Sequence, residues 1–200
     1  ILPKTIFQVA NEELLETKLF NETLPNPIGL AAGFDKSAEV YNSLFKLGYG
    51  FVEVGTITPK RQLGNPKPRI FRLEKDQALI NRLGFNNHGS EIVLKRISEN
   101  TPNGFLGINI GPNKETKNKE EDYYFCLSKL SSHAGYLTIN ISSPNTEGLR
   151  NFHKNVEMEK LLSGINKIKK DKNIKQSLAL KLSPDLNENN IGKIVELIKK

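Results

Sequence analysis

Cysteine, methionine and tryptophan are almost absent: the 200 residues contain one cysteine, one methionine and no tryptophan. A single thiol excludes an internal disulfide framework and is consistent with a reducing compartment. The cysteine, Cys126, lies in a helical pattern of apolar residues, which predicts a core position rather than a catalytic one. No apolar run approaches the ~20 residues of a membrane-spanning helix, and no signal-peptide pattern is present.

Several catalytic and binding motifs are also missing. The three histidines, His88, His133 and His153, show no HxH or HExxH spacing, so a metal site is not expected. No GxGxxG follows the first predicted strand and there is no Gly-Lys-Ser/Thr loop, which counts against dinucleotide and P-loop binding. No histidine stands at motif spacing from a serine, so an acyl-transfer triad is unsupported.

Charge is plentiful but mixed in sign. The chain carries 29 basic and 22 acidic residues, a formal net charge of +7, and the two signs are interspersed. The sequence has no stripe of arginines with interleaved aromatics, which is the pattern that predicts a nucleic-acid surface. The positive balance is compatible with small anionic ligands. With 37% hydrophobic residues, the chain has enough apolar material for one globular domain with a real core.

Apolar strands alternate with amphipathic helices along the chain. Near-continuous apolar runs predict strands buried on both faces; they cover 28–34, 50–58, 105–111, 136–142 and 177–183. Apolar residues at helical spacing predict helices over 37–47, 90–98, 156–168 and the segment up to residue 198. Asn187 or Asp185 is the expected cap of the last helix.

This alternation predicts a parallel α/β sheet. An insertion at 59–89 interrupts it, and two apolar segments around the polar turn 74–77 predict a hairpin there. Five strands are too few to close a (β/α)8 barrel of ~250 residues. The pattern leaves two architectures open: an open doubly wound sheet, or the first five-eighths of a barrel.

Polar residues recur where the predicted strands end. The most informative stretch is Ile139-Asn-Ile-Ser-Ser-Pro-Asn145, in which an apolar strand runs directly into carboxamides and hydroxyls. Lys36, Thr56, Asn109 and Lys181 occupy similar positions on other strands. Each of these residues also has a purely structural explanation. Lys36 would be an ordinary lysine near a helix start, the Thr56 hydroxyl would bond to the backbone, and Asn109 would cap a bulge. Their convergence on one rim favours a polar, planar ligand and an organic redox cofactor.

These residues resemble the class 2 dihydroorotate dehydrogenases, flavin enzymes of pyrimidine biosynthesis that pass electrons to membrane quinone. The resemblance covers the chain from about residue 20 onward, with its motifs in the family's order. The motifs are Asn26-Pro-Ile-Gly-Leu-Ala-Ala-Gly-Phe-Asp-Lys36, Glu53-Val-Gly-Thr-Ile-Thr-Pro59, Gly64-Asn-Pro-Lys-Pro-Arg-Ile-Phe-Arg72, Ile80-Asn-Arg-Leu-Gly-Phe-Asn-Asn87, Gly107-Ile-Asn-Ile-Gly111, Ile139-Asn-Ile-Ser-Ser-Pro-Asn145 and Lys181-Leu-Ser-Pro-Asp185.

The resemblance implies a (β/α)8 TIM barrel with FMN at its C-terminal rim and no metal. The implied FMN contacts are Ala32, Gly33, Phe34, Asp35, Lys36, Thr56, Asn109, Asn140 and Lys181. The implied contacts of dihydroorotate or orotate are Lys36, Asn81, Arg82, Leu83, Gly84, Phe85, Asn140 and Asn145. Ser143 matches the catalytic base, and Thr146 and Phe85 match the residues that frame its proton outlet. A cysteine in place of Ser143 marks class 1 enzymes.

The implied reaction removes a proton from C5 of dihydroorotate and a hydride from C6. Asparagine carboxamides offer the donors and acceptors that a pyrimidine ring requires. Lys36 or Arg82 is expected to neutralise the substrate carboxylate, and Lys181 to stabilise reduced flavin. A serine hydroxyl is a weak base at neutral pH, so Ser143 needs a proton outlet and exclusion of water.

The resemblance also implies surroundings that this sequence does not contain. The chain starts at Ile1 and ends at Lys200 within a helical pattern, so we expect it to be part of one FMN-binding barrel domain. Residues 1–16 are expected to end an N-terminal membrane-associating segment. The expected location is peripheral on the inner membrane: the cytoplasmic face in bacteria, or the mitochondrial inner membrane in eukaryotes. Two alternatives remain: a class 1-like FMN barrel with a soluble acceptor, and a non-catalytic truncated barrel.

Overall fold

The computed structural model describes residues 13–146 and 148–199 as an α/β structure. The strands are β1 (Thr17–Leu19), β2 (Glu22–Leu24), β3 (Gly29–Leu30), β4 (Phe51–Ile57), β5 (Ile70–Leu73), β6 (Ala78–Asn81), β7 (Phe105–Ile110), β8 (Tyr136–Asn140) and β9 (Ser177–Lys181). The helices are α1 (Tyr41–Lys46), α2 (Ser90–Glu99), α3 (Lys119–Leu130), α4 (Asn155–Asp171) and α5 (Glu188–Lys199). Most of the predicted N-terminal segment, 1–16, lies outside the described residues.

The main sheet is parallel and has the strand order β3-β4-β7-β8-β9. Each strand therefore lies beside the next main strand along the chain. A doubly wound sheet reverses its strand order at a switch point, and this sheet does not reverse. The arrangement is that of consecutive βα units of a (β/α)8 barrel, the second of the two architectures predicted from the sequence.

Helix boundaries follow local hydrogen bonds as well as apolar periodicity. Helix α1 begins at Tyr41, later than the predicted residue 37, because the carboxylate of Asp35 accepts hydrogen bonds from the backbone N–H groups of Glu39 and Val40, each at 2.8 Å. This holds the preceding segment in a turn. Helix α5 follows Asn187, whose Oδ1 accepts from the N–H of Asn190 at 2.9 Å, which confirms Asn187 as its cap.

The core lies between the sheet and the helices that cover its outer face. Strand β7 is buried from Leu106 to Ile110, and α3 contributes Tyr123, Cys126, Leu127 and Leu130 from one face. The burial of Cys126 confirms its predicted core position. Among the described residues no helix is both long and apolar enough to cross a membrane.

The insertion between β4 and α2 folds as the predicted hairpin. Strands β5 and β6 pair antiparallel, and Gln77 closes the turn in a left-handed conformation at φ 46°. Below the hairpin, Gln62 pairs with Asn87. All residues of β5 and β6 are exposed. The hairpin is therefore an exposed two-stranded sheet, separate from the main sheet.

Candidate functional site

Three polar side chains from three neighbouring strands meet inside the sheet. The hydroxyl of Thr56 donates to Oδ1 of Asn109 at 2.6 Å. The Nδ2 of Asn140 donates to Thr56 Oγ1 at 2.9 Å and to Asn109 Oδ1 at 3.1 Å. All three residues are buried. The predicted convergence of these strand-end residues is therefore observed. The three side chains serve as hydrogen-bond partners for one another.

A fourth member of this network, Glu53, was missed by the sequence reasoning. It lies on β4, and its carboxylate accepts hydrogen bonds from Asn109 Nδ2 at 2.8 Å, from the Tyr136 hydroxyl at 3.0 Å and from the Thr138 hydroxyl at 2.7 Å. The available signal was a lone carboxylate within the apolar run 51–57, because a charged group inside a parallel strand needs partners.

The segment 32–36 is hydrogen-bonded to the strand that carries Thr56. The N–H of Gly33 donates to Gly55 O, and the N–H of Gly55 donates to Asp35 O, both at 2.9 Å. Gly33 has φ 114° and open space where a Cβ would lie, so this backbone is accessible from the rim. Ala32 is half-buried and Phe34 is exposed. The carboxylate of Asp35 accepts hydrogen bonds from backbone N–H groups of the turn before α1.

Two lysines, Lys36 and Lys181, bring positive charge to the same rim. Burial, followed by repulsion from Arg69 and Lys181, lowers the pKa of Lys36 below its usual value of 10.5. Within residues 13–146 and 148–199, neither lysine has an ion-pair partner. Arg69 is committed elsewhere, since it donates to Leu63 O at 2.7 Å and to Asn65 O at 3.0 Å. Two unpaired lysines near one another make the rim suited to an anion.

The predicted substrate segment 81–85 runs from the hairpin down to the barrel. Gly84 and Phe85 both have positive φ, 71° and 52°, and a positive φ is uncommon for an aromatic residue. This turn buries the Phe85 ring near Thr56: a Cβ on Gly111 would lie 2.8 Å from Thr56 Cγ2 and 3.1 Å from the Phe85 ring. Asn81 is exposed and Leu83 half-buried.

The guanidinium of Arg82 is engaged in contacts within the insertion that contains the hairpin. Its guanidinium donates twice to Pro68 O, at 3.1 and 2.8 Å, and lies 5.7 Å from the centre of the Phe71 ring. Sequence reasoning left Lys36 and Arg82 as alternative partners of a substrate carboxylate. The contacts of Arg82 with the hairpin favour Lys36.

The serine loop begins where β8 ends. Asn140 Oδ1 accepts from the N–H of Ser142 at 3.1 Å and from its hydroxyl at 2.8 Å. Ser143 Oγ accepts from the N–H of Asn145 at 3.2 Å, and Asn145 Nδ2 donates to Asn81 O at 3.4 Å. The structure thus brings Ser143, Asn145 and the hairpin end together. Thr146 is buried, as is Phe85.

Arg150 ties this loop to the next strand's loop. It lies in a short 3₁₀ helix, Leu149–His153, and donates to Ser142 O at 3.3 Å. The Nη1 of its guanidinium forms a 2.9 Å ion pair with Asp185, which follows β9. Ser183 also donates to Asp185, at 3.3 Å. Arg150 therefore joins the C-terminal ends of β8 and β9.

The donor set fits a planar, polar, anionic ligand better than a metal. The part of the chain that the structure describes has no cluster of three or more His, Cys, Asp or Glu side chains able to hold a metal ion. Carboxamides, hydroxyls, two lysines and the accessible backbone at Gly33 are the groups that bind a ring with carbonyl and N–H edges. This composition fits a flavin.

Comparison with known proteins identifies the family of this chain. Residues 14–200 match the protein family described as Dihydroorotate dehydrogenase. The chain is 48% identical over 178 residues to the dihydroorotate dehydrogenase (quinone) of Bartonella tribocorum, a match covering 87% of this chain and 49% of the relative. It is 44% identical over 204 residues to the protein of that name from Neisseria meningitidis, covering 97% of this chain and 60% of the relative.

Solved structures show the same fold. A crystal structure of DHODH from Eimeria tenella in complex with ferulenol superposes with a TM-score of 0.88 at 37% identity, covering 95% of this chain and 57% of that one. Its ligand-free form gives 0.86 at 38% identity, covering 95% and 60%. The chain belongs to the dihydroorotate dehydrogenase family, which implies a flavin cofactor. It spans about half the length of the curated relatives it matches.

Proposed function

We propose that the protein containing this chain is a quinone-dependent dihydroorotate dehydrogenase, which oxidises (S)-dihydroorotate to orotate in pyrimidine biosynthesis. One observation carries the proposal: Ser143, Asn145 and Asn140 at the end of β8 lie at the same rim as the hairpin end Asn81 and the half-buried Lys36. A serine at this position is typical of the quinone-linked class, and the relatives named dihydroorotate dehydrogenase (quinone) support the same acceptor.

The cofactor is FMN, which accepts the hydride when bound. The residues that hold it are the backbone of 32–36 with Thr56, Asn109, Asn140 and Lys181 at the strand ends. Thr56 and Asn140 are fixed by their mutual hydrogen bond of 2.9 Å, so they present a rigid surface to a flat ring. Lys181 pairs in register with Asn140 across β8 and β9, which places a cation beside that surface.

Dihydroorotate is recognised by its ring and its carboxylate separately. Asn81, Asn140 and Asn145 supply carboxamides for the ring, and the turn at Leu83, Gly84 and Phe85 shapes one wall. Lys36 neutralises the carboxylate. The lowered pKa of Lys36 reflects burial first and then the positive neighbours Arg69 and Lys181, and an anion bound beside Lys36 offsets both effects.

Ser143 removes the proton from C5 of the substrate. Its Oγ is positioned by the N–H of Asn145 at 3.2 Å, and the preceding residue is anchored on Asn140. Buried Thr146 and Phe85 limit the access of water and frame the path by which the proton leaves. The acceptor is a membrane quinone, and the protein is peripheral on the inner membrane through a segment that includes residues 1–16.

The flavin absorbance near ~450 nm of the purified full-length protein tests this proposal, because the bound cofactor reports its own reduction. Anaerobic addition of L-dihydroorotate is expected to bleach the band, and orotate is the expected product. Bound flavin that stays yellow would indicate another FMN barrel. A colourless protein that cannot be reconstituted with FMN would favour a non-catalytic barrel.

The acceptor needs its own assay. The reduced protein is mixed with a short-chain quinone, with fumarate or with NAD, and reoxidation is followed at the same wavelength. Fast reoxidation by quinone alone is expected. Preference for fumarate or NAD would replace the proposal by a class 1-like enzyme. Flotation of the full-length protein with vesicles of bacterial lipids tests its peripheral attachment separately.

A further inference from the structure

We propose that Glu53 is a positioning residue that sets the hydrogen-bond direction of the whole carboxamide network, and thereby the orientation of Asn140 toward its ligands. The inference rests on the proposed function for what those ligands are. Its structural part, the direction of the network, is independent of it.

The carboxylate decides which way Asn109 faces. An ionised carboxylate only accepts hydrogen bonds, whereas a carboxamide has one donating and one accepting end. The 2.8 Å contact of Asn109 with Glu53 therefore requires the Nδ2 end of Asn109 to face the carboxylate. Its Oδ1 end must then face Thr56 and Asn140, where it accepts at 2.6 and 3.1 Å.

The direction passes on to Asn140. Because Asn109 and Thr56 both accept from it, the Nδ2 end of Asn140 points into the network. Its Oδ1 end then faces the serine loop and accepts from the N–H and hydroxyl of Ser142 at 3.1 and 2.8 Å. Reversal of Asn109 would place two acceptors or two donors together and leave buried polar groups without hydrogen-bond partners.

The second carboxylate oxygen anchors Glu53 itself. It accepts from the hydroxyls of Tyr136 and Thr138 at 3.0 and 2.7 Å, two positions on the same face of β8. Among the described residues no lysine, arginine or histidine forms an ion pair with Glu53. Its contacts with neutral donors fit a directional acceptor rather than half of a salt bridge.

Two substitutions at this position separate direction from packing. Glu53→Gln keeps an oxygen for Asn109 Nδ2 and turns its new N–H₂ toward two hydroxyls, which can rotate to accept. The network direction survives. Glu53→Leu has a similar volume but no acceptor, so Asn109 can reverse. Tyr136→Phe is the matched control, since it removes one bond on the far oxygen and leaves Asn109 untouched.

The first readout is the FMN dissociation constant of the full-length protein, obtained from quenching of flavin fluorescence. We expect Glu53→Gln and Tyr136→Phe to stay within about threefold of the parent and Glu53→Leu to bind at least about tenfold more weakly. Equal affinities in all four proteins, or equal weakening in Glu53→Gln and Glu53→Leu, would overturn the proposal. If Glu53→Leu does not fold, Glu53→Gln still decides, because tenfold weaker binding there contradicts a preserved direction.

The second readout needs no cofactor. In the FMN-free protein, the side-chain amide protons of Asn109 and Asn140 are expected to exchange slowly with solvent in the parent and Glu53→Gln, and much faster in Glu53→Leu. Unchanged exchange in Glu53→Leu contradicts the inference. If the parent binds no FMN, the proposed function fails, and the exchange measurement still tests the network.

Discussion

At the scale of single residues, Lys36 carries a positive charge that its surroundings disfavour while no anion is bound. The lysine is half-buried, and the positive charges of Arg69 and Lys181 act on it in addition to desolvation. All three effects disfavour its ammonium form. The free energy of unfolding is therefore expected to rise as pH rises through the lowered pKa of Lys36 toward 10.5, because the unfolded chain binds the proton more tightly there.

This predicts an alkaline loss of anion affinity that begins at lower pH than for an ordinary lysine. Orotate binding by the full-length protein, measured by calorimetry between about pH 7 and 10, is expected to weaken by up to about tenfold per pH unit above the pKa of Lys36. Lys36→Arg keeps its charge in this range and should lose the pH dependence. The same alkaline profile in both proteins would assign the effect to another group.

Ser143 carries the second prediction at this scale. Ser143→Ala is expected to retain FMN, since no FMN contact is assigned to this hydroxyl, and to slow flavin reduction by roughly 10²–10⁴-fold through loss of the base. Stopped-flow absorbance with dihydroorotate measures this directly. Ser142→Ala serves as the control, because it removes only a hydrogen bond to Asn140 and should slow reduction by less than about tenfold. An unchanged reductive half-reaction in Ser143→Ala would remove Ser143 from the mechanism.

At the scale of elements, the ends of β8 and β9 are joined by one side chain. Arg150 binds Ser142 O on one side and Asp185 on the other, so the serine loop is held from outside as well as from Asn140. The ion pair is partly exposed and contributes little to global stability. The expected consequence of the ion pair is that the serine loop after β8 is held in one conformation.

Arg150→Met is expected to speed hydrogen exchange of the backbone amides of 142–146 and to raise KM for dihydroorotate, with FMN affinity unchanged. Asp185→Asn should have a smaller effect, because the contact between Arg150 and Ser142 remains. Exchange followed by mass spectrometry on the full-length protein resolves the loop. Equal exchange rates in the parent and Arg150→Met would show that Asn140 alone orders it.

The elements themselves were largely predictable, and the exceptions have physical causes. Apolar runs located all five strands of the main sheet, and the alternation of strands and helices indicated parallel pairing. The start of α1 was misplaced because Asp35 competes for backbone N–H groups, which periodicity does not register. The apolar pattern alone left the choice between barrel and open sheet undecided, because no local pattern encodes strand pairing. The family resemblance implied the barrel, and the strand order confirms it.

For the candidate site, the convergence of the strand-end side chains was predictable, but their individual contacts were not. Strand-end positions singled out Thr56, Asn109 and Asn140, and the family motifs supplied the serine loop. That Arg82 contacts Pro68 depends on the path of the hairpin. Glu53 went unnoticed because its partners, Tyr136 and Thr138, are more than eighty residues away and become visible only once the strands are aligned.

At the scale of the whole molecule, Cys126 provides a reporter of the core. It is the only cysteine in the chain and is fully buried in α3, where burial raises the pKa of its thiol. The thiolate is the nucleophile that attacks a disulfide reagent such as Ellman's reagent, so labelling of the native protein is expected to be negligible. Labelling should rise with denaturant together with loss of the helical circular dichroism signal. Rapid labelling of the native protein would show that α3 opens locally, without global unfolding.

The hydrogen bonds that join Glu53, Thr56, Asn109 and Asn140 link residues 31 to 84 positions apart in the chain. Contacts of such range form slowly, because the chain must close large loops before they stabilise it. A chain that has paired only β4 with β7 can form the contacts of Asn109 with Thr56 and Glu53, but the network is incomplete until β8 brings Asn140. Flavin binding at this network is therefore expected only after β8 has docked, and a mutation that delays the docking of β8 is expected to lower the yield of flavin-loaded protein without altering the protein once it is loaded.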